Sequence, residues 1–422
     1  MDEVSINDFN RDINNYILIN NKFYRRLSYD RDKLNPVNVE KSHLTGRFGL
    51  SNRILEQVPE LEGFCCEPGH EEKFRPIVQN KWNMYHRVNW NAKEGEWPTI
   101  RQLLTHLYGA NGVEPDQLEE IFDYHTIMMR WPKQKLFGRV LYSHEQGTSK
   151  SALAVLEQLM FDMNYIKIRS EEFDDTDNSY WADKLILHLD EPSFKTPIAA
   201  ARKLRDLITT PIINKRRMYS TAEPQPFHAK ILITTNDTDF MTFEQSDRRY
   251  WIREIPQIPV DKRDPNFNQK MKRECAHYIH FLQNREMKYP KAVDGTFWLP
   301  QTCLSTLGSK KLVRDNISDV QQEIVLWFES YFLQDRAADH IKFTIRDLIA
   351  RIDWEGKQPS SRYVGKVLRD GLKLIEPERA SRLKDGDNYI TKGSDHALSP
   401  QKFYRANRSQ FDLDIDVFDV KL

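Results

Sequence analysis

The sequence has no long apolar segment, and its hydrophobic runs fall far short of the roughly eighteen residues that a membrane span needs. Cysteine is scarce, with 4 in 422 residues, which argues against a disulfide framework and favours a reducing compartment. The N-terminal segment MDEVSINDFNRD is acidic and polar, unlike a secretion signal. These absences predict a soluble, cytoplasmic protein without a membrane partner.

The sequence also lacks an excess of either charge, because 62 Lys and Arg residues balance 62 Asp and Glu residues. No overall field would draw the protein onto DNA, so any nucleic-acid contact must come from a local cluster of cations. A metal site at Cys65, Cys66 and His70 is disfavoured, since adjacent cysteines rarely bind one ion well and no second Cys/His pair lies close. We expect a plain loop there.

The length of the chain favours about two to four domains. Apolar residues at helical spacing in IRQLLTHLYG and DQLEEIFDYHTIMMRW predict two helices. Further along, short apolar runs alternate with helical patterns, which predicts an α/β core with a parallel sheet. The predicted division is an α+β domain (1–90), a helical collar (91–135), the α/β core with a basic β-hairpin (136–257), a helical connector (258–319), a winged-helix-like domain (320–398) and an acidic and apolar tail (399–422).

The winged-helix prediction depends on three helical patterns followed by RLKDGDNYITKG, which is typical of a hairpin with its turn at Asp385 and Gly386. In the third pattern, SSRYVGKVLRDGLKL, one face is basic and the other apolar. The expected outward residues are Arg362, Lys366 and Arg369, and the expected inward residues are Val364, Val367 and Leu368. The final segment, FDLDIDVFDVKL, is either an amphipathic strand or a peptide that docks elsewhere.

The segment HEQGTSKSAL, residues 144–153, is close to the phosphate-binding pattern G-x-x-x-x-G-K-[ST]. It has Lys150 and Ser151, but His144 and Ser149 occupy the two glycine positions. In such a loop the backbone N–H groups and the start of the following helix bind phosphates, while the lysine reaches phosphate oxygens and the hydroxyl coordinates Mg²⁺. The predicted ATP-binding residues are Gln146, Gly147, Thr148, Ser149, Lys150 and Ser151.

Polar residues at the ends of two later apolar runs fit the same chemistry. LILHLDEP places Asp190 and Glu191 after a buried strand, where one carboxylate would hold Mg²⁺ with Ser151 and the other would polarise the attacking water. ILITTN ends in Asn236, an amide able to orient that water. Each feature alone has an ordinary explanation, a helix cap or a turn, but their order after the loop favours catalytic roles.

Two sets of cations complete the pattern. Arg248, Arg249 and Arg253 lie around a strand start, and an arginine offered to a neighbouring subunit would stabilise transition-state charge; a salt-bridged edge would explain at least one of the three. Between the acidic pair and Asn236 we predict a hairpin that could contact a phosphate backbone, although a solvated turn is the commoner role of a charge run. The predicted DNA-binding residues are Lys215, Arg216, Arg217, His228 and Lys230.

The phrases SHEQGTSKSAL, HLDEP, KLRDLITTPIINKRRM, FHAKILITTND and DRRYW resemble superfamily 3 helicases, the AAA+-type hexameric motors of small DNA viruses, phages and mobile elements. The resemblance is greatest to the helicase part of phage and prophage primase-helicases of the virulence-associated-E and poxvirus-type group, and it covers about residues 135–257. It implies a homo-hexameric ATPase that uses Mg²⁺ and moves on single-stranded or fork DNA. Arg248 or Arg249 would be the arginine finger, and the location would be a bacterial host's cytoplasm if the chain is phage-encoded. Residues 1–90 show no primase carboxylate cluster, so a primase or polymerase partner would be a separate chain.

Retention of Lys150, Ser151, Asp190, Glu191 and Asn236 favours a working ATPase despite the two missing glycines. The alternative is a non-hydrolysing DNA-binding replication scaffold with a degenerate P-loop. A P-loop enzyme of another kind, such as a small-molecule kinase or a packaging motor, is disfavoured because neither a lid with an acceptor site nor an acidic nuclease segment is apparent.

Overall fold

The computed structural model forms two compact units, Met1–Val313 and Arg314–Leu422, and each is considered by itself. It describes residues 9–27, 30–35, 37–111, 114–216, 222–238, 240–241, 243, 247–293, 295–315, 319–335, 337–354, 358–372, 374–375, 380, 388–389 and 401–411. The boundary between the units falls within the predicted connector 258–319. Within these ranges, none of the helices has the length and apolar character needed to cross a membrane.

The strands up to residue 313 are β1 (Tyr16–Ile19), β2 (Lys22–Leu27), β3 (Asp30–Leu34), β4 (Glu60–Leu61), β5 (Gly63–Cys65), β6 (Ile77–Val78), β7 (Lys81–Asn83), β8 (Gly138–Tyr142), β9 (Tyr165–Ile168), β10 (Ile186–Asp190), β11 (Ile212–Lys215), β12 (Glu223–Pro226), β13 (Lys230–Thr235) and β14 (Tyr250–Glu254). The helices that begin before residue 313 are α1 (Lys41–Gly46), α2 (Asn52–Leu55), α3 (Pro98–Tyr108), α4 (Leu118–Arg130), α5 (Lys150–Phe161), α6 (Ser170–Asp174), α7 (Pro197–Thr209), α8 (Phe267–Asn284) and α9 (Leu307–Asp315).

The N-terminal strands form two small sheets, β3-β2-β1-β4 and β5-β7-β6. Asn20 and Asn21 join β1 to β2 with φ values of 49° and 60°, a conformation that suits a two-residue hairpin and that asparagine tolerates. The later part of the segment shares the main core, where Trp90 is 8% exposed and its indole N–H donates to the carbonyl of Met160 at 2.6 Å. Cys66 is buried and donates to the carbonyl of Asp183, and the described residues contain no group of three or more metal-ligating side chains.

The main sheet has five parallel strands in the order β14-β8-β13-β10-β9. All five residues of β8 and all six of β13 are buried, as expected for strands covered on both faces. The prediction of an α/β fold with a parallel sheet is confirmed. In the sheet, β13 lies between β8 and β10, although it comes after both of them in the sequence. The segments that follow β8, β13 and β10 therefore leave the same edge side by side.

A buried ion pair fixes α5, the helix after the phosphate-binding segment, against β8. Glu157 on α5 and Arg139 on β8 are both fully buried and form two hydrogen bonds, one of them 3.0 Å long. Burial alone would raise the pKa of Glu157, but Arg139 outweighs it and lowers that pKa to about 2. His125 on α4 also contacts Glu157, at 3.1 Å, so α4, α5 and β8 share one polar contact inside the core.

The second unit contains α10 (Asp319–Gln334), β15 (His340–Phe343), α11 (Ile345–Arg351), α12 (Ser361–Lys366), a π-helical turn (Val367–Gly371) and β16 (Tyr404–Asn407). β15 and β16 are antiparallel and cover a core of their own. The predicted faces of the third helical segment are confirmed: Arg362, Lys366 and Arg369 are exposed, and Val364, Val367 and Leu368 are buried. The predicted turn at Asp385 and Gly386 and the tail beyond Phe411 lie outside the described residues.

Candidate functional site

The phosphate-binding candidate is the loop between β8 and α5. Gly147 and Ser149 both have left-handed backbone conformations, with φ values of 75° and 59°. Ser149 therefore adopts a conformation that favours glycine, at a cost of about 1–2 kcal/mol. Its side chain makes no capping hydrogen bond to the start of α5. The sequence lacks glycine at this position, yet the backbone retains the shape for which glycine is usually needed.

The carbonyl groups of this loop are bound from its outer side. His106 Nε2 donates to the carbonyl of Thr148 at 3.2 Å, Gln257 Nε2 donates to that of Gln146 at 2.9 Å, and the N–H of Ile258 donates to that of Gly147 at 3.2 Å. Within the described part of the chain, the backbone N–H groups from Gln146 to Ser151 have no hydrogen-bond acceptor. Consecutive unpaired N–H groups at a helix start form a site suited to an anion.

Lys150, the first residue of α5, is directed into the site and is 5% exposed. Its Nζ atom donates to Thr148 Oγ1 at 3.0 Å and to Asn236 Oδ1 at 2.7 Å. Burial lowers the pKa of Lys150, and the nearby carboxylates Glu191 and Asp190 partly oppose that effect. Lys150 is thus a buried cation bound to two neutral oxygens.

Asn236 joins this lysine to Glu191. Its side-chain Nδ2 donates to Glu191 Oε1, and its backbone N–H donates to Glu191 Oε2, both at 2.8 Å. Glu191 has a left-handed φ of 47° and lies immediately after β10. Asn236 therefore binds both carboxylate oxygens, Thr235 Oγ1 also donates to Oε2 at 3.4 Å, and the side chain of Glu191 remains exposed to solvent.

Asp190, the last residue of β10, has a separate set of partners. Thr234 Oγ1 donates to its Oδ1 at 2.6 Å, and Lys167 Nζ donates to its Oδ2 at 2.5 Å. Burial would raise the pKa of Asp190, but the hydrogen bonds from Lys167 and Thr234 outweigh it and lower the pKa. Behind Thr234 lies His188, whose Nε2 is 2.8 Å from the threonine oxygen.

The structure does not bring the predicted arginines to the P-loop of the same chain. Arg248 is exposed and Arg249 is half-buried, 3.6 Å from Asp247. The carbonyl of Arg249 accepts from the N–H of Gly138, the first residue of β8, so both arginines lie at the opposite edge of the sheet from Lys150. Five strand residues separate the two edges, roughly 15 Å. Arg253 is fully buried and donates to the carbonyls of Leu107 and Gly109, so it is the structural member of the three.

The predicted hairpin is present as β11 and β12, which pair antiparallel. Lys215 is half-buried and lies 3.3 Å from Asp183 Oδ2, whereas Arg216 is exposed. Arg217 and the hairpin tip lie outside the described residues.

Two of the predicted DNA contacts require correction. Lys230 is 2% exposed, and its Nζ donates to the carbonyls of His228 and Pro132. His228 is half-buried, and burial, with Lys230, Lys135 and Lys133 nearby, lowers its pKa to about 3. Lys230 is thus inaccessible, and His228 carries no charge near neutral pH, so neither provides a cation for a DNA phosphate.

A cavity of about 620 Å³ adjoins the loop. It is lined by α3, the start of α8, the 256–262 segment and Ser149. Its walls combine apolar groups such as Leu103 and Phe267 with the amides of Gln102 and Gln257. No sequence motif marked this cavity, because its lining comes from segments far apart in the chain.

Residues 141–249 match a family model described as "Family of unknown function (DUF5906)". A search of curated proteins found no match. Among solved structures, an apo form of the NrS-1 C-terminal region (305–718) matches with a TM-score of 0.63 and 14% identity, over 93% of this chain and 95% of that chain. A second, A-form structure of the same region gives 0.61 at 13% identity, over 92% and 95%.

A structure of JCV helicase aligns with a TM-score of 0.32 and 10% identity, over 54% of this chain and 63% of that chain, which is too low to support a shared fold. The two NrS-1 matches show that this chain has the fold of the NrS-1 C-terminal region across nearly its whole length.

Proposed function

We propose that this chain is an ATP-dependent, ring-forming DNA helicase or translocase that acts on single-stranded DNA in the replication of a phage or mobile element. The supporting observation is the hydrogen-bonded series Lys150, Asn236 and Glu191 beside six consecutive N–H groups that have no acceptor among the described residues. A cation, a water-orienting amide and a carboxylate around an anion site are the groups that hydrolysis of a nucleoside triphosphate needs.

In this proposal the N–H groups of residues 146–151 bind the phosphates, and Lys150 exchanges its contact with Asn236 for a phosphate oxygen. The exchange is favourable because a charge-assisted hydrogen bond to phosphate is stronger than one to an amide. The adjoining cavity of about 620 Å³ is large enough for the nucleoside part of the ligand.

The residues present suit Mg²⁺ as a cofactor. Ser151, exposed on the first turn of α5, and Asp190 offer a hydroxyl and a carboxylate oxygen, which are donors that Mg²⁺ prefers. Mg²⁺ usually takes one or two carboxylates and completes its shell with substrate phosphates and water. When bound, the ion would neutralise phosphate charge.

Glu191 would accept a proton from the attacking water, because its two oxygens are already oriented by Asn236 and it faces solvent. Arg248 or Arg249 would act on the nucleotide of an adjacent subunit, which favours a homo-hexameric ring. The exposed Arg216, with Lys215, would contact the DNA backbone as the hairpin moves. The second unit, with an exposed basic helix face and an antiparallel strand pair, supports a winged-helix role at an origin or fork.

The decisive experiment is ATP hydrolysis by purified protein with and without single-stranded DNA, together with its mass in solution. We expect DNA-stimulated hydrolysis, and we expect Lys150→Ala to abolish it while the urea unfolding midpoint stays close to that of the wild type. Lys272→Ala, which removes an exposed lysine on α8, is the matched control and should be fully active. Hydrolysis that survives Lys150→Ala would refute the proposal.

The second candidate, a non-hydrolysing DNA-binding replication scaffold, is favoured by the ion pair between Lys167 and Asp190. Lys167 occupies one oxygen of Asp190, the carboxylate that would hold Mg²⁺ in this proposal. If this pair blocks Mg²⁺, the wild type binds DNA without hydrolysing ATP and Lys167→Met gains activity. If the pair merely competes with Mg²⁺, Lys167→Met lowers the Mg²⁺ concentration for half-maximal activity by about two- to fivefold, the strength of an exposed ion pair.

A further inference from the structure

The segment 256–263, which follows β14, lies along the outer side of the phosphate-binding loop. Gln257 and Ile258 bind the carbonyls of Gln146 and Gly147, as described above. The same segment then turns at Val260–Lys262, a single 3-10 turn, and brings Arg263 back toward the loop. Arg263 Nε donates to the carbonyl of Ile258 at 3.1 Å, which fixes the base of the guanidinium.

The other end of that guanidinium lies directly over Gly147. A Cβ atom added to Gly147 would lie 2.6 Å from Cζ of Arg263, closer than real Cβ contacts, and 3.0 Å from Nη1. Within the described residues, neither terminal nitrogen of Arg263 has a hydrogen-bond acceptor. The adjacent carboxylate, Asp264, is occupied by Lys270 at 2.7 Å and by the N–H of Asn266 at 2.8 Å, so it does not neutralise Arg263.

We infer that Arg263 is a phosphate-binding residue that the chain supplies to its own nucleotide site. The inference rests on the proposed function of the loop as a phosphate site. Two N–H donors of a planar fork match two oxygens of a phosphate group. Arg263 presents such a fork beside the six backbone N–H groups of the loop, and within the described ranges neither the fork nor these groups have an acceptor. Its position separates it from Arg248 and Arg249, which lie at the other edge of the sheet.

The role would be binding rather than proton transfer, because an arginine remains charged at all ordinary pH values. Arg263 would be a second cation from the same chain, in addition to Lys150, and would approach the phosphates from the side of Gly147. It would also offset the strain at Ser149, since a loop held in a costly conformation gains from an extra contact with its ligand. The ligand class is a nucleoside di- or triphosphate. Adenosine has no phosphate, so its affinity should not depend on Arg263.

The test is isothermal titration of ATP, ADP and adenosine into the full chain in EDTA, so that no hydrolysis occurs. We expect Arg263→Gln to weaken ATP and ADP about tenfold, or about 1.4 kcal/mol, and to leave adenosine unchanged. Arg263→Lys, which keeps the charge and loses the fork, should recover part of the loss. Arg273→Gln removes an exposed arginine of α8 and is the matched control; it should bind all three ligands as the wild type does.

Two results would overturn the inference: ATP affinity within twofold of the wild type in Arg263→Gln, or an equal loss for adenosine and ATP. Failure of the proposed function gives a different pattern. In that case the wild type binds no ATP, or binds it equally well after Lys150→Ala. Urea unfolding of Arg263→Gln confirms that any loss reflects binding and not folding.

Discussion

The Nζ atom of Lys150 lies 2.7 Å from Oδ1 of Asn236, and the Nδ2 atom of the same amide lies 2.8 Å from Glu191. An asparagine amide has one accepting and one donating end, so these two contacts fix its orientation. One side chain thus sets the distance between the cation, at the start of α5, and the carboxylate, immediately after β10.

Asn236→Ala removes this link. We expect the kcat for ATP hydrolysis to fall about 10²-fold, because Glu191 loses the side-chain donor that orients its Oε1 atom, while ATP affinity changes less than threefold. Steady-state kinetics and equilibrium binding measure the two quantities separately. A kcat within threefold of the wild type would mean that Asn236 only closes a turn. Thr235→Ser, at the preceding residue, keeps the hydroxyl group and serves as the control for a tolerated change.

Gly147→Ala places a methyl group where the backbone φ is 75° and Arg263 occupies the space. Left-handed backbone costs an alanine about 1–2 kcal/mol, so we expect ATP affinity to fall about tenfold or more. Gly295→Ala is the matched control, because a Cβ there meets no atom within 4 Å. Equal ATP binding by both variants would show that the loop adopts another conformation when it binds phosphate.

Arg216 is exposed and Lys230 is buried, so substitution of each by alanine should affect DNA binding differently. We expect Arg216→Ala to weaken single-stranded DNA binding and to reduce the slope of log K against log salt by about 0.7, the value for one phosphate contact. Lys230→Ala should leave that slope unchanged and lower the urea midpoint, because Lys230 binds carbonyls inside the protein. Fluorescence anisotropy over a salt series measures the slope, and a reduced slope for Lys230→Ala would contradict the structure.

His70 should make the protein less stable in acid. It is 5% exposed and packs against Trp90 with the ring centroids 4.6 Å apart, and burial lowers its pKa from 6.5 to about 4. The unfolded chain therefore takes up a proton below pH 6.5 while the folded chain does not until about pH 4, so stability is lost as pH falls through that window. The shift corresponds to a loss of at most about 3 kcal/mol.

We expect His70→Phe to flatten the dependence of the free energy of unfolding on pH between 6.5 and 4, as measured by urea titration at several pH values. His43→Phe is the control, since His43 is exposed. An equal change of slope in both variants would mean that burial of His70 does not control its protonation.

The meeting of Lys150, Asn236 and Glu191 follows from features that a sequence displays. Glu191 and Asn236 come at the ends of two apolar runs, and Lys150 begins the helix that follows a third. Runs covered on both faces belong to a parallel sheet whose carboxyl ends share one edge. The sequence could not show which strands are neighbours, and the placement of β13 between β8 and β10 is what brings the three residues into contact. Their catalytic roles remain predictions.

Lys230 shows where charge in a sequence misleads. It precedes ILITT and is the first residue of a fully buried strand, so its long side chain bonds to carbonyls instead of reaching solvent. The sequence gives no sign of three other residues at the site, because they come from segments that carry no motif. These residues are Arg263, Lys167 and His106. Thr234 could have been noticed, since a polar residue inside a buried apolar strand needs a partner, and that partner is Asp190.

Gly138 and Tyr142 mark the two ends of one short strand, with Arg249 bound at the first and the phosphate-binding loop after the second. In a ring of identical chains, a subunit that lacks Lys150 would inactivate its own nucleotide site, while a subunit that lacks Arg249 would inactivate the site of the adjacent subunit. Two inactive preparations, one of each kind, would then regain turnover when mixed, because some junctions unite an intact pocket with an intact arginine. Such complementation would follow from the length of β8, which separates the arginine and the phosphate-binding loop of one subunit and so assigns them to different nucleotide sites.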